Sequence, residues 1–200
     1  MSDLTNATER FGASRRCVEE IFSWLEGTDA SALAHAELED RLDARGRELL
    51  WLMLQDHLRL RANNEKRLGA VTDCDGVVHG AVEAGHRRPL GTIFGAVEVE
   101  RLAYRHRGHP NLYPADALLN LPHERHSHGL RRLAAVEASR GSFEEAAAAI
   151  ERATGQQVGK RQVEGLTALP DDAEGLLLLA VVDADDPTTP SLALHLRLHH

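Results

Sequence analysis

The stretch "GSFEEAAAAIERATGQQVGKRQVEGL", residues 141–166, decides how the rest of the chain is read. Ser142 and Glu145, three residues apart, form a capping box: the hydroxyl accepts from the Glu145 amide and the carboxylate reaches back to the Ser142 amide. Phe143, Ala146, Ala147 and Ile150 then recur at helical spacing and form one apolar face, with small alanines that permit close helix crossing. Gly155, after Thr154, suits a left-handed C-terminal cap. Val158 reads as a buried turn residue and Gly159 as the next N-cap. Lys160, Arg161 and Gln162 fall on the first turn of a second helix whose Val163 and Leu166 face inward. A buried helix, a glycine-bearing turn and a second helix with polar, basic leading residues make a helix-turn-helix pattern, in which those leading side chains enter the major groove. Lys160, Arg161 and Gln162 are therefore the candidate base readers.

The preceding segment, "SHGLRRLAAVEASRG", completes a three-helix unit with Leu130, Leu133 and Ala134 inward. Arg131, Arg132 and Arg140 are the candidate phosphate contacts. The competing reading is an ordinary pair of packed helices with surface Lys and Arg, since helix-turn-helix patterns are degenerate. Glu164 and Gly165 weaken the second helix as a groove reader.

Charge distribution bears on this choice. The chain of 200 residues has a formal net charge of −8, which argues against coating nucleic acid along the whole surface. Residues 66–165, however, carry 14 basic and 12 acidic side chains, whereas the segments on either side are each net −5. Only the middle of the chain is electrostatically suited to a polyanion. A 42% apolar and 27% charged composition with few aromatics predicts a globular, Leu/Ala/Val-rich core. Cys17 and Cys74 supply neither a disulfide framework nor a zinc pattern, and no secretory leader or membrane-length apolar run is visible, so a cytoplasmic compartment is expected.

The remaining pattern predicts an α+β chain. A helix over residues 14–26 stops at Gly27, and a longer one runs from about 35 to 63 with Leu38, Leu42, Leu49, Met53 and Leu60 near a heptad seam. The two read as a helical hairpin whose face is a candidate pairing surface between chains, making a homo-oligomer a candidate state. "LGAVTDCDGVVHG" places Asp75-Gly76 between β-leaning runs, and Val97, Val99, Arg101 and Ala103 alternate along a later strand preceded by Gly95. The expected organisation is a helical hairpin over 1–65, a small antiparallel sheet over 66–110, the helix-turn-helix-like unit over 111–169, with Pro110, Pro114 and Pro122 punctuating a loop, and a tail over 170–200.

Across about residues 35–166 the sequence resembles the N-terminal, non-catalytic part of an insertion-sequence transposase of the ISKra type. The resemblance rests on "ELEDRLDARGRELLWLMLQDHLRLR" (37–61), "LGTIFGAVEVERLAYRHRG" (90–108), "LYPADALLNLPHERHSHGLRRLAAVEASRGSFEEAAAAIERATG" (112–155) and "VGKRQVEGL" (158–166), in that order. It implies a DDE-class enzyme acting on double-stranded DNA at transposon ends, with Mg²⁺ held by carboxylates of a following RNase H-like domain. "LLLLAVVDADD" resembles that domain's first strand, with Asp183 a candidate for its first metal-binding carboxylate. The pattern lapses after Leu166 and no Gly-Lys-Gly follows Asp183. The expectation is a chain shortened before its catalytic domain, binding DNA but with no cofactor and no catalytic residues of its own.

Other chemistry is less well supported by the residues. His123, His126 and His128 lie close together, but no fourth zinc ligand is spaced to join them; cationic forms would add phosphate contacts at low pH. His106 and His109 with Arg105 and Arg107 form a second basic cluster, read either as a solvated hairpin tip or as a backbone contact. The rival functions are a protein–protein module built on the Leu-rich helix at 38–60 and a small metal-dependent nuclease using Asp183.

Overall fold

The computed structural model describes residues 10–167, 177–182 and 192–197. The architecture is α+β. Helices α1 (Gly12–Leu25), α2 (Thr28–Ser31) and α3 (His35–Asn63) are followed by two β-hairpins, β1 (Val71–Thr72) with β2 (Val78–His79) and β3 (Ala81–Thr92) with β4 (Gly95–Arg105). A short helix α4 (Pro114–Leu118) leads to α5 (His128–Ala138), α6 (Phe143–Thr154) and α7 (Lys160–Thr167), and the backbone then pairs β5 (Leu177–Val182) antiparallel to β6 (Leu192–Arg197).

Two compact units emerge. Among the described residues, the first runs up to Pro89 and includes Val97–Asn120; the second comprises Leu90–Ala96 and those from Leu121 onward. The helical hairpin and most of the β-structure, expected as separate segments, thus belong to one unit.

The reason lies in polar side chains of α3 and the segment just after it. In the first unit, the buried Gln55 donates Nε2 to the Glu98 carbonyl (3.0 Å) and accepts the Glu98 N–H at Oε1 (2.8 Å), reproducing what a neighbouring strand would offer. Glu65 Oε2 accepts the Leu102 N–H at 2.9 Å, and Tyr104 exchanges both main-chain bonds with Leu112 at 2.9 Å. The open edge of β4 is thereby covered at Glu98, Leu102 and Tyr104, which leaves it a poor template for another strand. The alternation read from sequence holds here: Val97, Val99, Arg101 and Ala103 are all buried. Arg101 is stacked 4.0 Å over the Tyr113 ring, with Nε 2.8 Å from Asp116 Oδ1 but not aimed along a hydrogen bond.

α1 lies antiparallel along α3. Ser14 donates both its N–H (3.1 Å) and Oγ (2.8 Å) to Asp56 Oδ2, and ten residues further on the Arg45 guanidinium sits 4.6 Å over Trp24. In β1–β2, Asp73 Oδ1 accepts from the Asp75 and Val77 amides while Gly76 adopts φ 81°, a conformation that favours glycine, so the Asp-Gly turn forms as the sequence indicates. Between Pro110 and Pro122, where a loop is expected, Pro114 instead opens α4 at a position where its missing N–H is harmless.

Candidate nucleic-acid interface

The second unit is built around one apolar cluster. Leu130, Ala134 and Ala138 of α5, Ala146 and Ile150 of α6, Val158 of the connecting turn, and Val163 and Leu166 of α7 are buried together, with Ile93, Leu133, Phe143 and Ala147 packed against them. The capping and core signals of the opening stretch take the form expected. Ser142 Oγ accepts the Glu145 N–H (3.3 Å) and Glu145 Oε2 accepts the Ser142 N–H (2.9 Å). Gly155 is left-handed at φ 68°, with its N–H donated to the Glu151 carbonyl at 2.8 Å. Thr154 Oγ1 donates to the Ile150 carbonyl and accepts the Gln156 N–H, closing the turn from inside.

The unit is held to the hairpin tip by backbone. Gly91 donates its N–H to the Arg125 carbonyl (2.7 Å) and accepts the Ser127 N–H (2.8 Å). A Cβ at Gly91 would come within 3.2 Å of the His126 ring, so any other residue there would push that ring back by a few tenths of an ångström. Ser127 then caps α5 through Oγ, which accepts the Leu130 N–H.

The six predicted DNA contacts fall into different environments. Lys160 and Arg161 are exposed on the first turn of α7 and have no ion-pair partner among the described residues. Gln162 is exposed, but its Oε1 accepts the Gly159 N–H at 2.9 Å, while Gly159 O accepts from the Gln162 and Val163 amides. It closes the helix N-terminus as a capping residue. Arg131 departs most from its expected role. It is 8% exposed, with Nη1 donating to Glu124 Oε2 (3.1 Å) and Nε to the Leu166 carbonyl (3.4 Å), so its charge is used inside the unit.

Arg132, one residue on, is exposed. At 100° per residue it points about 160° away from the centre of the Leu130–Ala134–Ala138 stripe on which α6 and α7 pack. Arg140 is exposed and bridged to Glu137 at 2.8 Å. It lies beside the start of α6, about 18 Å along that helix from the turn that leads into α7. Lys160 and Arg161 are adjacent; Arg132 and Arg140 are placed elsewhere on the unit.

His126 is packed beside Gly91, and burial, then the Arg131 charge, hold its ring below the ordinary imidazole value against the opposing pull of Glu124. That depression opposes the low-pH phosphate contact expected of it.

One group in the first unit escaped sequence reading. His79, fully buried, lies with Nε2 3.1 Å from Asp73 Oδ2 and Nδ1 3.2 Å from the Tyr104 carbonyl, and its ring neighbours those of His106 and His109. The His79 hydrogen bond, followed by that from the Val77 amide, holds the Asp73 carboxyl below its usual range. The His106–His109 cluster is thus the outer part of a packed histidine group, and only the Asp73–Gly76 turn hinted at it.

Among the described residues no three His, Cys, Asp or Glu side chains are disposed to hold a metal ion, and Asp183 lies outside the described residues. No helix among the described residues is long and apolar enough to cross a membrane. No protein-family model matches the chain, and no curated protein matches it.

Proposed function

We propose that the α5–α7 unit is a helix-turn-helix that binds double-stranded DNA, in a protein of insertion-sequence transposase type that recognises transposon ends. One observation carries this reading. Among the described residues Lys160 and Arg161 stand exposed and without acidic partners on the first turn of α7, where the positive end of the helix dipole disfavours cations by roughly 0.3–1 kcal/mol each. Neither side chain packs into the core. A polyanion lying across the helix start would reverse the sign of the interaction. The capped turn and the buried Val158, Val163 and Leu166 hold that start rigidly, as groove insertion needs.

Lys160 and Arg161 are the leading contacts in this proposal. Gln162 supports them as a cap and offers only its amide NH₂ outward. Arg140 is a peripheral phosphate contact, Arg132 points away from α7 and lies off the proposed contact surface, and Arg131 is structural. The activity proposed is binding; strand cleavage and transfer are not assigned to these residues.

The test is selection of a preferred site from a random duplex pool, followed by titration of that site at fixed salt. The Lys160→Glu, Arg161→Glu double variant should bind at least ~100-fold more weakly, since each reversal replaces an attraction with a repulsion. A pool with no enriched site, or equal affinity in the folded double variant, would overturn the proposal.

A further inference from the structure

We infer that the helical hairpin α1–α3 is a self-association surface, on which a second copy of this chain packs antiparallel about a two-fold axis near residue 48. The inference is independent of DNA binding and concerns only the first unit. Phe22 (60% exposed), Leu42 (42%), Leu50 (45%) and Met53 (45%) are large apolar side chains left open to solvent. Leu42, Leu50 and Met53 fall within an arc of about 80° on α3. Beside that arc, Phe11, Val18, Leu49 and Met53, together with Ser14, Arg15 and Glu19, line a groove of about 380 Å³ between α1 and α3. Contiguous apolar side chains exposed on one face, unlike singly scattered ones, are a feature of interaction surfaces.

Gly46 lies in the middle of the same arc. An added Cβ there would meet nothing within 4 Å, and its φ is not positive, so neither packing within the chain nor backbone conformation calls for glycine. Mid-helix glycine costs about 1 kcal/mol relative to alanine. Close approach of another helix supplies a reason for it.

Charge identifies the occupant. The hairpin end formed by residues 12–18 and 53–63 holds Arg15, Arg16, Arg59 and Arg61 against the single acid Asp56. The opposite end, residues 19–26 and 35–47, holds seven acids against Arg41, Arg45 and Arg47, the last bridged to Asp43 at 2.8 Å. A parallel partner would set like ends together. An antiparallel copy sets the arginine end of each over the acidic end of the other, twice, as an isologous two-fold contact requires. With the axis near residue 48, Leu50 of each copy crosses Gly46 of the other and Leu42 meets Met53.

Sedimentation of the full chain at micromolar concentration should show a dimer that weakens as salt rises. Leu50→Glu with Met53→Glu changes only half-exposed positions, so the variant should keep its helical circular dichroism while its dimer dissociation constant rises at least ~100-fold. Register is read by cysteine cross-linking in a Cys74→Ser background. Leu42→Cys chains mixed with Met53→Cys chains should form a disulfide-linked pair, and neither should link to itself. A monomeric wild-type chain, a dimer indifferent to the Leu50/Met53 change, self-linking of either cysteine variant, or a mixture that fails to link would each overturn the inference.

Discussion

Arg131 Nε lies 3.4 Å from the main-chain carbonyl of Leu166, so a side chain of α5 donates to the last turn of α7. The same guanidinium holds Glu124 at 3.1 Å. In the 9%-exposed setting of its side chain the group ties together three segments of the second unit. Arg131→Ala should therefore lower the stability of that unit by about 2 kcal/mol, since charged hydrogen bonds are worth roughly 1.5–3 kcal/mol and the Leu166 carbonyl would be left unsatisfied. Arg132→Ala, one position on and exposed, should stay within about 0.5 kcal/mol of wild type. Urea denaturation of the two variants side by side checks this; equal effects would return Arg131 to the surface.

Gln162 is the test of cap against reader. Its Oε1 bond to the Gly159 amide predicts that Gln162→Ala loses about 0.5–1 kcal/mol of stability. The base preference of the protein for its selected DNA site should not change. A shifted preference at unaltered melting temperature would mean that the carboxamide faces a base after all.

Salt dependence separates the remaining cations. Lys160→Ala should make the log–log slope of affinity against salt less steep by about 1, the signature of one lost phosphate contact. Arg132→Ala should leave that slope unaltered, because Arg132 points away from the side of α5 on which α7 packs. Titrations of the selected duplex at four salt concentrations decide between them.

The depressed His126 imidazole sets the direction of a pH effect. Its folded value lies below the unfolded one, so as pH falls from above ~6.5 the unfolded chain takes up the proton first. The stabilising contribution of the neutral ring is present above that value and is lost on acidification toward the folded value. The urea midpoint of the second unit should drop between about pH 7.5 and 5.5, and His126→Asn should flatten that part of the drop. A wild-type midpoint that rises on acidification contradicts the burial-driven depression.

What the sequence made legible was local. Ser142 and Glu145 are three residues apart, Gly155 and Gly76 sit where a positive φ is needed, and Asp73 closes its turn within four residues; each of these needs only a few neighbours to be understood. Gln55 bonds Glu98 across 43 positions, and His79 meets Tyr104 across 25. No periodicity announces such pairs, which is why the helical hairpin and the β-structure read as separate segments. Arg131 and Arg132 show the same limit within two residues. The pair reads as one basic patch, yet successive positions on a helix differ by 100°: the Leu130–Ala134–Ala138 spacing turns Arg132 outward, and the Leu166 carbonyl, 35 positions on, is what the flanking Arg131 folds inward to meet. The buried set Leu130, Ala134, Ile150, Val163 and Leu166 was readable because the apolar spacing alone specifies it.

The hairpin tip Leu90–Ala96 belongs with the three helices although it precedes them by some thirty residues. The second unit is therefore not a cassette that can be cut out of the chain. A fragment beginning at Leu121 would lack Ile93 from its core and Gly91 from the backbone pairing that anchors residues 125–127. During synthesis the tip must be made first and wait for α5 to α7, so this unit closes late, across a long stretch of sequence. Insertions within residues 97–120 would lengthen that wait without touching a single residue of the proposed DNA-binding surface.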